Sequence, residues 1–126
     1  MVQAVALVRG RVVDDVFQMT LHINGKPVHP VVLDTGAATL ILNGEIARRL
    51  HLPNLGAIQV VGVGGAASAF RSKCDLKLGN RLFRDVPCVV IKRFSKQGLL
   101  GLKFFRDNQL GIMLNPRMQT LRVYRT

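Results

Sequence analysis

Residues 31–42 read VVLDTGAATLIL, and this stretch decides the fold. Val31, Val32 and Leu33 form a continuous apolar run, as expected for a buried strand. Asp34, Thr35 and Gly36 interrupt it, and the chain is apolar again at Leu40, Ile41 and Leu42. A carboxylate set between two apolar runs is either a turn residue capping local N–H groups or a functional acid in a sheltered place.

On the N-terminal side, Phe17, Met19, Leu21 and Ile23 alternate with Gln18, Thr20 and His22, a period of two that predicts a strand with one buried face. Asn24-Gly25 predicts a type I′ turn, with φ > 0 at both residues. The return strand runs from Val28 to Leu33. Pro30 has no N–H to give a ladder, so it belongs at an edge or a bulge. Residues 4–8 read as a further strand, and Asp14-Asp15 as a turn.

On the C-terminal side, Asn43 is placed to cap a short helix over about 44–51, with Ile46, Ala47 and Leu50 inward and Arg48 and Arg49 outward. Residues 57–61 predict a strand, followed by GVGG at 62–65. Phe70–Leu78 and Leu82–Ile91 predict two strands around Gly79-Asn80, and Lys92–Gln97 a polar basic loop. A helical turn or two is expected at 102–108, then a hairpin turning at Asn115-Pro116. Many short strands with turn signals at about ten-residue spacing predict an all-β barrel or sandwich. No internal repeat occurs, which argues against a tandem two-lobed architecture.

The chain has 126 residues, room for one domain over 1–126 and one core. With 48% apolar residues and no low-complexity tract, it is expected to fold. The formal charge is +11, from 18 Lys+Arg against 7 Asp+Glu. Such a field attracts polyanions, yet the cations are scattered and few aromatics could stack on bases, so a solvated basic surface is the first reading. Nucleic acid or an anionic surface is left as an alternative partner without a motif. Cys74 and Cys88 have no CxxC spacing, and His22, His29 and His51 no ligand or triad spacing, so no metal site is expected. Two free thiols on strands are expected, with a disulfide left open. Gly62-x-Gly64-x-x-Ala67 matches the dinucleotide fingerprint only formally, because strand-like SAFRSKCDLKL follows it and no helix does. No apolar run approaches the ~20 residues of a membrane span. No basic segment precedes the apolar N-terminal run, so a signal peptide is not expected and a cytoplasmic location is favoured.

Three pieces occur in order: VVLDTGAATLIL at 31–42, VVGVGG at 60–65 and LLG at 99–101. On these the chain resembles the retropepsin-like aspartic proteases, including retroviral proteases and single-domain bacterial relatives. The flanks NGKPVHPVVLDTGA and QTLRVY extend the likeness over nearly the whole chain. The resemblance implies an all-β closed barrel with one or two short helices and a homodimeric aspartic endopeptidase acting on polypeptides, with no cofactor. It makes Asp34 the catalytic acid, with Thr35, Gly36, Leu99, Leu100 and Gly101 supporting its loop. Thr35 is expected to be buried and to bond across the dimer axis. Ala37, Val61, Gly62, Val63, Gly64 and Gly65 are expected to bind substrate, Val63 at the tip of a glycine-rich flap. Gly101 is expected to let the Leu99-Leu100 strand approach the Asp34 loop.

The chemistry agrees with that resemblance. Metal-free peptide hydrolysis needs an activated water and a protonated carbonyl. Two adjacent carboxyls supply both, because they share one proton. One DTG per chain then requires a two-fold pair of chains. Retroviral relatives often carry an ion pair where Ala38 and Leu102 stand here. Both partners are missing together, so no lone charge is stranded, and a subunit interface unlike the retroviral one is expected. Lys103 stands where many relatives have Asp or Asn. The alternative reading is a non-catalytic peptide- or polyanion-binding module on the same fold.

Overall fold

The computed structural model describes residues 3–62 and 64–126. Its strands are β1 (Gln3–Arg9), β2 (Arg11–Val13), β3 (Val16–Ile23), β4 (Lys26–Leu33), β5 (Leu40–Asn43), β6 (Ala57–Gly62), β7 (Gly65–Leu78), β8 (Arg81–Ile91), β9 (Gly98–Leu100), β10 (Leu110–Asn115) and β11 (Thr120–Arg125). Two short helices, α1 (Gly44–Arg49) and α2 (Leu102–Asp107), follow β5 and β9. The fold is all-β, as expected.

The alternation in β3 does what its period predicts. Phe17, Met19, Leu21 and Ile23 are buried, while Thr20 and His22 are exposed. Asn24 and Gly25 have φ of 51° and 79°, the two positive values a type I′ turn needs. Asp14 and Asp15 turn the β2–β3 hairpin in the same way, with φ of 51° and 62°. In the β3–β4 ladder Met19 faces Val31 and Leu21 faces Val28, leaving Thr20 against both His29 and Pro30. Pro30 therefore sits at a bulge, although β4 is an interior strand.

The larger sheet has the order β2-β3-β4-β9-β5-β8-β7-β6, and β3 also pairs with β7. That pairing, His22 with Lys77 and Ile23 with Leu76, joins β3, β4, β9, β5, β8 and β7 into a ring. A second sheet, β1-β11-β10, brings the two ends of the chain together. Its Ala6, Val8, Leu121 and Val123 share one core with Leu21, Leu40, Leu76 and Leu100 of the ring. The helices close the remaining gaps. Ile46, Ala47 and Leu50 are buried as expected, and Phe104 of α2 meets Phe83 edge-on at 5.0 Å.

β7 divides its work. Ser72, Cys74, Leu76 and Leu78 point into the core, whereas Gly65 to Ser68 leave it and run beside β6, which buries no residue. The β6–β7 hairpin thus projects from the barrel. Helix α1 is shorter than expected, ending at Arg49, because His51 turns into the left-handed region at φ 56°. No helix among the described residues is long and apolar enough to cross a membrane.

Candidate active site

The Asp34 loop is built by three strands. β9 lies between β4 and β5, parallel to the first and antiparallel to the second, so Leu100 is aligned with both Leu33 and Leu40. The chain leaves β4 at Leu33, makes the loop 34–39, and returns as β5 on the other side of β9. The loop is therefore pinned at both ends by one short apolar strand, in which Leu99 and Leu100 are buried.

Backbone bonds fix it further. Asp34 N–H donates to Leu100 O at 3.0 Å, and Gly101 N–H to Thr39 O at 3.1 Å. The N–H groups of Leu102 and Lys103 donate to the carbonyls of Ala37 and Ala38 at 3.1 and 2.7 Å. Helix α2 has no side-chain cap, so the loop itself satisfies these first-turn donors. Gly101 is required for that fit. A Cβ there would lie 2.6 Å from the Ala37 carbonyl carbon and 2.9 Å from Thr39 O.

Within the loop, the Asp34 carboxylate is half-buried and accepts the Gly36 N–H at 2.9 Å through Oδ1. Ala37 N–H closes the turn on Asp34 O at 3.0 Å. The Thr39 hydroxyl, which sequence reasoning missed, donates to Pro87 O at 3.3 Å and ties the loop to β8. No pattern in the sequence signals it, since the contact spans 48 positions. Among the described residues no cluster of acids, His or Cys could hold a metal, and no ion pair includes Asp34.

The structure thus gathers Asp34, Thr35, Gly36, Ala37, Leu99, Leu100 and Gly101 into one place. In the single chain the Thr35 side chain is exposed. The loop turns it outward, so burial of that hydroxyl needs something beyond this chain. Among the described residues, no hydrogen bond joins Val61, Gly62, Gly64 or Gly65 to the Asp34 loop. Gly62 pairs with Gly65, Val61 is 80% exposed, and a Cβ added at Gly62, Gly64 or Gly65 would meet open space. Gly65 has φ of +101°, which a side chain would strain. Val63, expected at the tip, lies outside the described residues.

Ala38 and Leu102, the positions of the missing ion pair, are both exposed. They line a cavity of about 540 Å³ with Ala37, Phe105, Gly111 and Ile112, so apolar surface connects the loop to β10. Lys103 finds its partner within α2, in Asp107. That hydrogen bond holds the Asp107 carboxyl below its ordinary value. Away from the loop, Cys74 and Cys88 are buried free thiols. The hydrogen bond between them, then burial, pushes the Cys74 thiol up.

The family described as "gag-polyprotein putative aspartyl protease" matches residues 19–107. No curated protein sequence matches. Among solved structures, a retropepsin-like aspartic protease from Rickettsia conorii is similar over 99% of this chain and 91% of its own, with TM-score 0.68 and 18% identity. The EIAV protease complexed with the inhibitor HBY-793 is similar over 75% of this chain and 89% of its own, with TM-score 0.65 and 25% identity. The retroviral protease-like domain of Ddi1 from Leishmania major aligns over 88% and 94%, with TM-score 0.65 and 19% identity.

Proposed function

The chain belongs to the gag-polyprotein aspartyl protease family, and on that premise we propose that it is an endopeptidase, one protease domain over 1–126, active as a two-fold dimer. One observation carries the reading: Asp34 stands half-buried in a tightly bonded loop, its Oδ1 oriented by Gly36 N–H, and the sequence holds a single Asp-Thr-Gly, so a dyad of such loops needs a second chain. A second copy supplies the other carboxylate.

In the dimer the two Asp34 carboxyls hold one proton and one water between them. The ionised carboxylate takes a proton from the water, whose oxygen attacks the peptide carbonyl carbon. The protonated carboxyl gives its proton to the carbonyl oxygen. The tetrahedral diol then collapses: the carboxyl that took the water's proton gives it to the leaving nitrogen, the C–N bond breaks, and the other carboxylate takes one hydroxyl proton of the diol, which restores the shared proton. The β6–β7 hairpin is the flap, and its glycines let it close over an extended chain held by main-chain hydrogen bonds.

The surface for the second copy is the free edge of β10. Among the described residues β10 pairs only with β11. Its Met113 and Leu114 are exposed, and the cavity behind it reaches Ala37 and Ala38. An unpaired apolar edge invites another strand. Pairing of two β10 edges about a two-fold axis is isologous and sets both Asp34 loops against the same interface. Thr35 then gains the cover that its own chain withholds.

The decisive experiment digests a broad peptide library with protein of verified oligomeric state, from about pH 3 to 7. Cleavage is expected at acidic pH, rising with protein concentration through the dimer transition and lost in Asp34→Asn. A verified dimer that cleaves nothing sinks the proposal. The +11 charge favours one other reading, a non-catalytic module for peptides or polyanions. A salt-sensitive nucleic-acid shift that survives Asp34→Asn, without cleavage, would support it.

A further inference from the structure

The loop 92–97 joins the roof and the floor of the proposed substrate cleft. At one end Lys92 N–H donates to Ser68 O on the flap strand at 3.3 Å. At the other the chain enters β9, whose Leu100 bonds Asp34. The loop is not slack. Asn43 N–H donates to Gln97 O at 3.2 Å, and Asn43 Nδ2 to Lys96 O at 3.2 Å. Gly44 lies so close to the backbone of Lys92 that a Cβ would sit 2.8 Å from its carbonyl oxygen. A braced segment between roof and floor is a side wall.

That wall is cationic. Lys92, Arg93 and Lys96 are exposed, and none of them enters an ion pair among the described residues. Lys92 and Arg93 face Ala66, Ala67 and Ser68 of β7 across a cavity of about 510 Å³. The flap side contributes only small side chains there, leaving room for an incoming one. The acids nearest along the chain are paired elsewhere, Asp85 with Lys73 and Asp107 with Lys103, and Glu45, which lines a separate cavity with Gln97, faces Arg48. Unpaired cations beside a small-residue pocket select carboxylates.

We infer that this protein binds acidic polypeptide segments, with Lys92, Arg93 and Lys96 as the residues that set the preference. The inference rests on the proposed cleft and names the substrate class it takes. The three cations contact substrate side chains away from the scissile bond, so they act on recognition and not on the bond-breaking step.

Binding is measured on the Asp34→Asn protein, so that its outcome is independent of cleavage. The probes are fluorescein-labelled peptides matched except for Asp/Glu against Asn/Gln at flanking positions. At low salt the acidic peptide is expected to bind about tenfold tighter, a difference that shrinks as salt screens it. The triple variant Lys92→Gln, Arg93→Gln, Lys96→Gln should bring the two peptides within about twofold. A charge-matched control, Lys26→Gln, Lys77→Gln, Arg81→Gln, at the opposite end of β7, should keep the discrimination. Equal binding of the two peptides overturns the inference, and so does a control as damaging as the wall variant, which would assign the effect to overall charge. Failure of the wild-type protein to cleave any peptide refutes the protease reading instead, while the binding ratio still reports on the wall.

Discussion

Gly101 lies against the backbone of Ala37 with no room for a methyl group. Its own φ of −99° is one that any residue adopts, so the glycine is needed for space and not for conformation. Gly101→Ala should therefore cost about 1–3 kcal/mol through overpacking. It should also spread the loop 34–39 away from β9 and α2, so activity should fall further than stability. Thermal unfolding and peptide cleavage on the same preparation check this. An alanine variant with wild-type stability would mean that the loop gives way easily and that the bonds to Thr39, Ala37 and Ala38 do not hold it.

Asn43 has two duties. Its Oδ1 accepts the Ile46 N–H at 2.8 Å, capping α1, while its Nδ2 holds Lys96 O in the cationic wall. Asn43→Ala should destabilise the fold by about 1 kcal/mol, the usual worth of a cap, and loosen the wall. Asn43→Asp keeps the cap and removes the Nδ2 donor. Hydrogen exchange of the Asn43 N–H, which donates to Gln97 O, should then rise in both variants, with stability reduced mainly in the alanine one. Equal protection of this N–H in all three proteins would refute the tether.

This residue also marks how far the sequence was readable. The cap was legible because it is local, an Asn three positions before an apolar helix face. The tether to Lys96 was not, because it joins positions 53 apart. The same division runs through the molecule. The alternation of β3, the Asn24-Gly25 turn and the Pro30 bulge follow from local chemistry. The β2 hairpin was missed because Arg11–Val13 is too short to show a period, although Asp14-Asp15 was read as its turn. The placing of β9 between β4 and β5 is a non-local pairing, and the three segments pointed to it only by resemblance. Thr35 was expected buried because that resemblance describes a paired molecule, whereas one chain leaves it exposed.

Cys74 and Cys88 stand on neighbouring strands, but not opposite each other. Cys74 faces Val86, and Cys88 faces Ser72. Both thiols are free and nearly inaccessible, and their mutual hydrogen bond pushes Cys74 up. A thiol reagent at mildly alkaline pH should titrate neither in the native protein and both after denaturation, since burial keeps the reagent from either sulfur. Native labelling that runs faster than unfolding would contradict this burial.

Met113 tests the interface. It is 59% exposed on the strand that has one free edge, so Met113→Glu should change monomer stability by no more than about 0.5 kcal/mol. In the proposed dimer the same change brings a carboxylate from each copy against a two-fold seam without a partner. That should weaken association by at least about 1.4 kcal/mol, or tenfold in Kd. Sedimentation should show a folded monomer at concentrations where the wild type is paired, and cleavage should be lost at those concentrations and recover in part as the protein is concentrated. Recovery distinguishes a weakened dimer from a damaged site, because each chain still carries an intact Asp34 loop. If Met113→Glu leaves the dimer as tight as the wild type, the edge of β10 is not the seam, and the second Asp34 must arrive across another face of the chain.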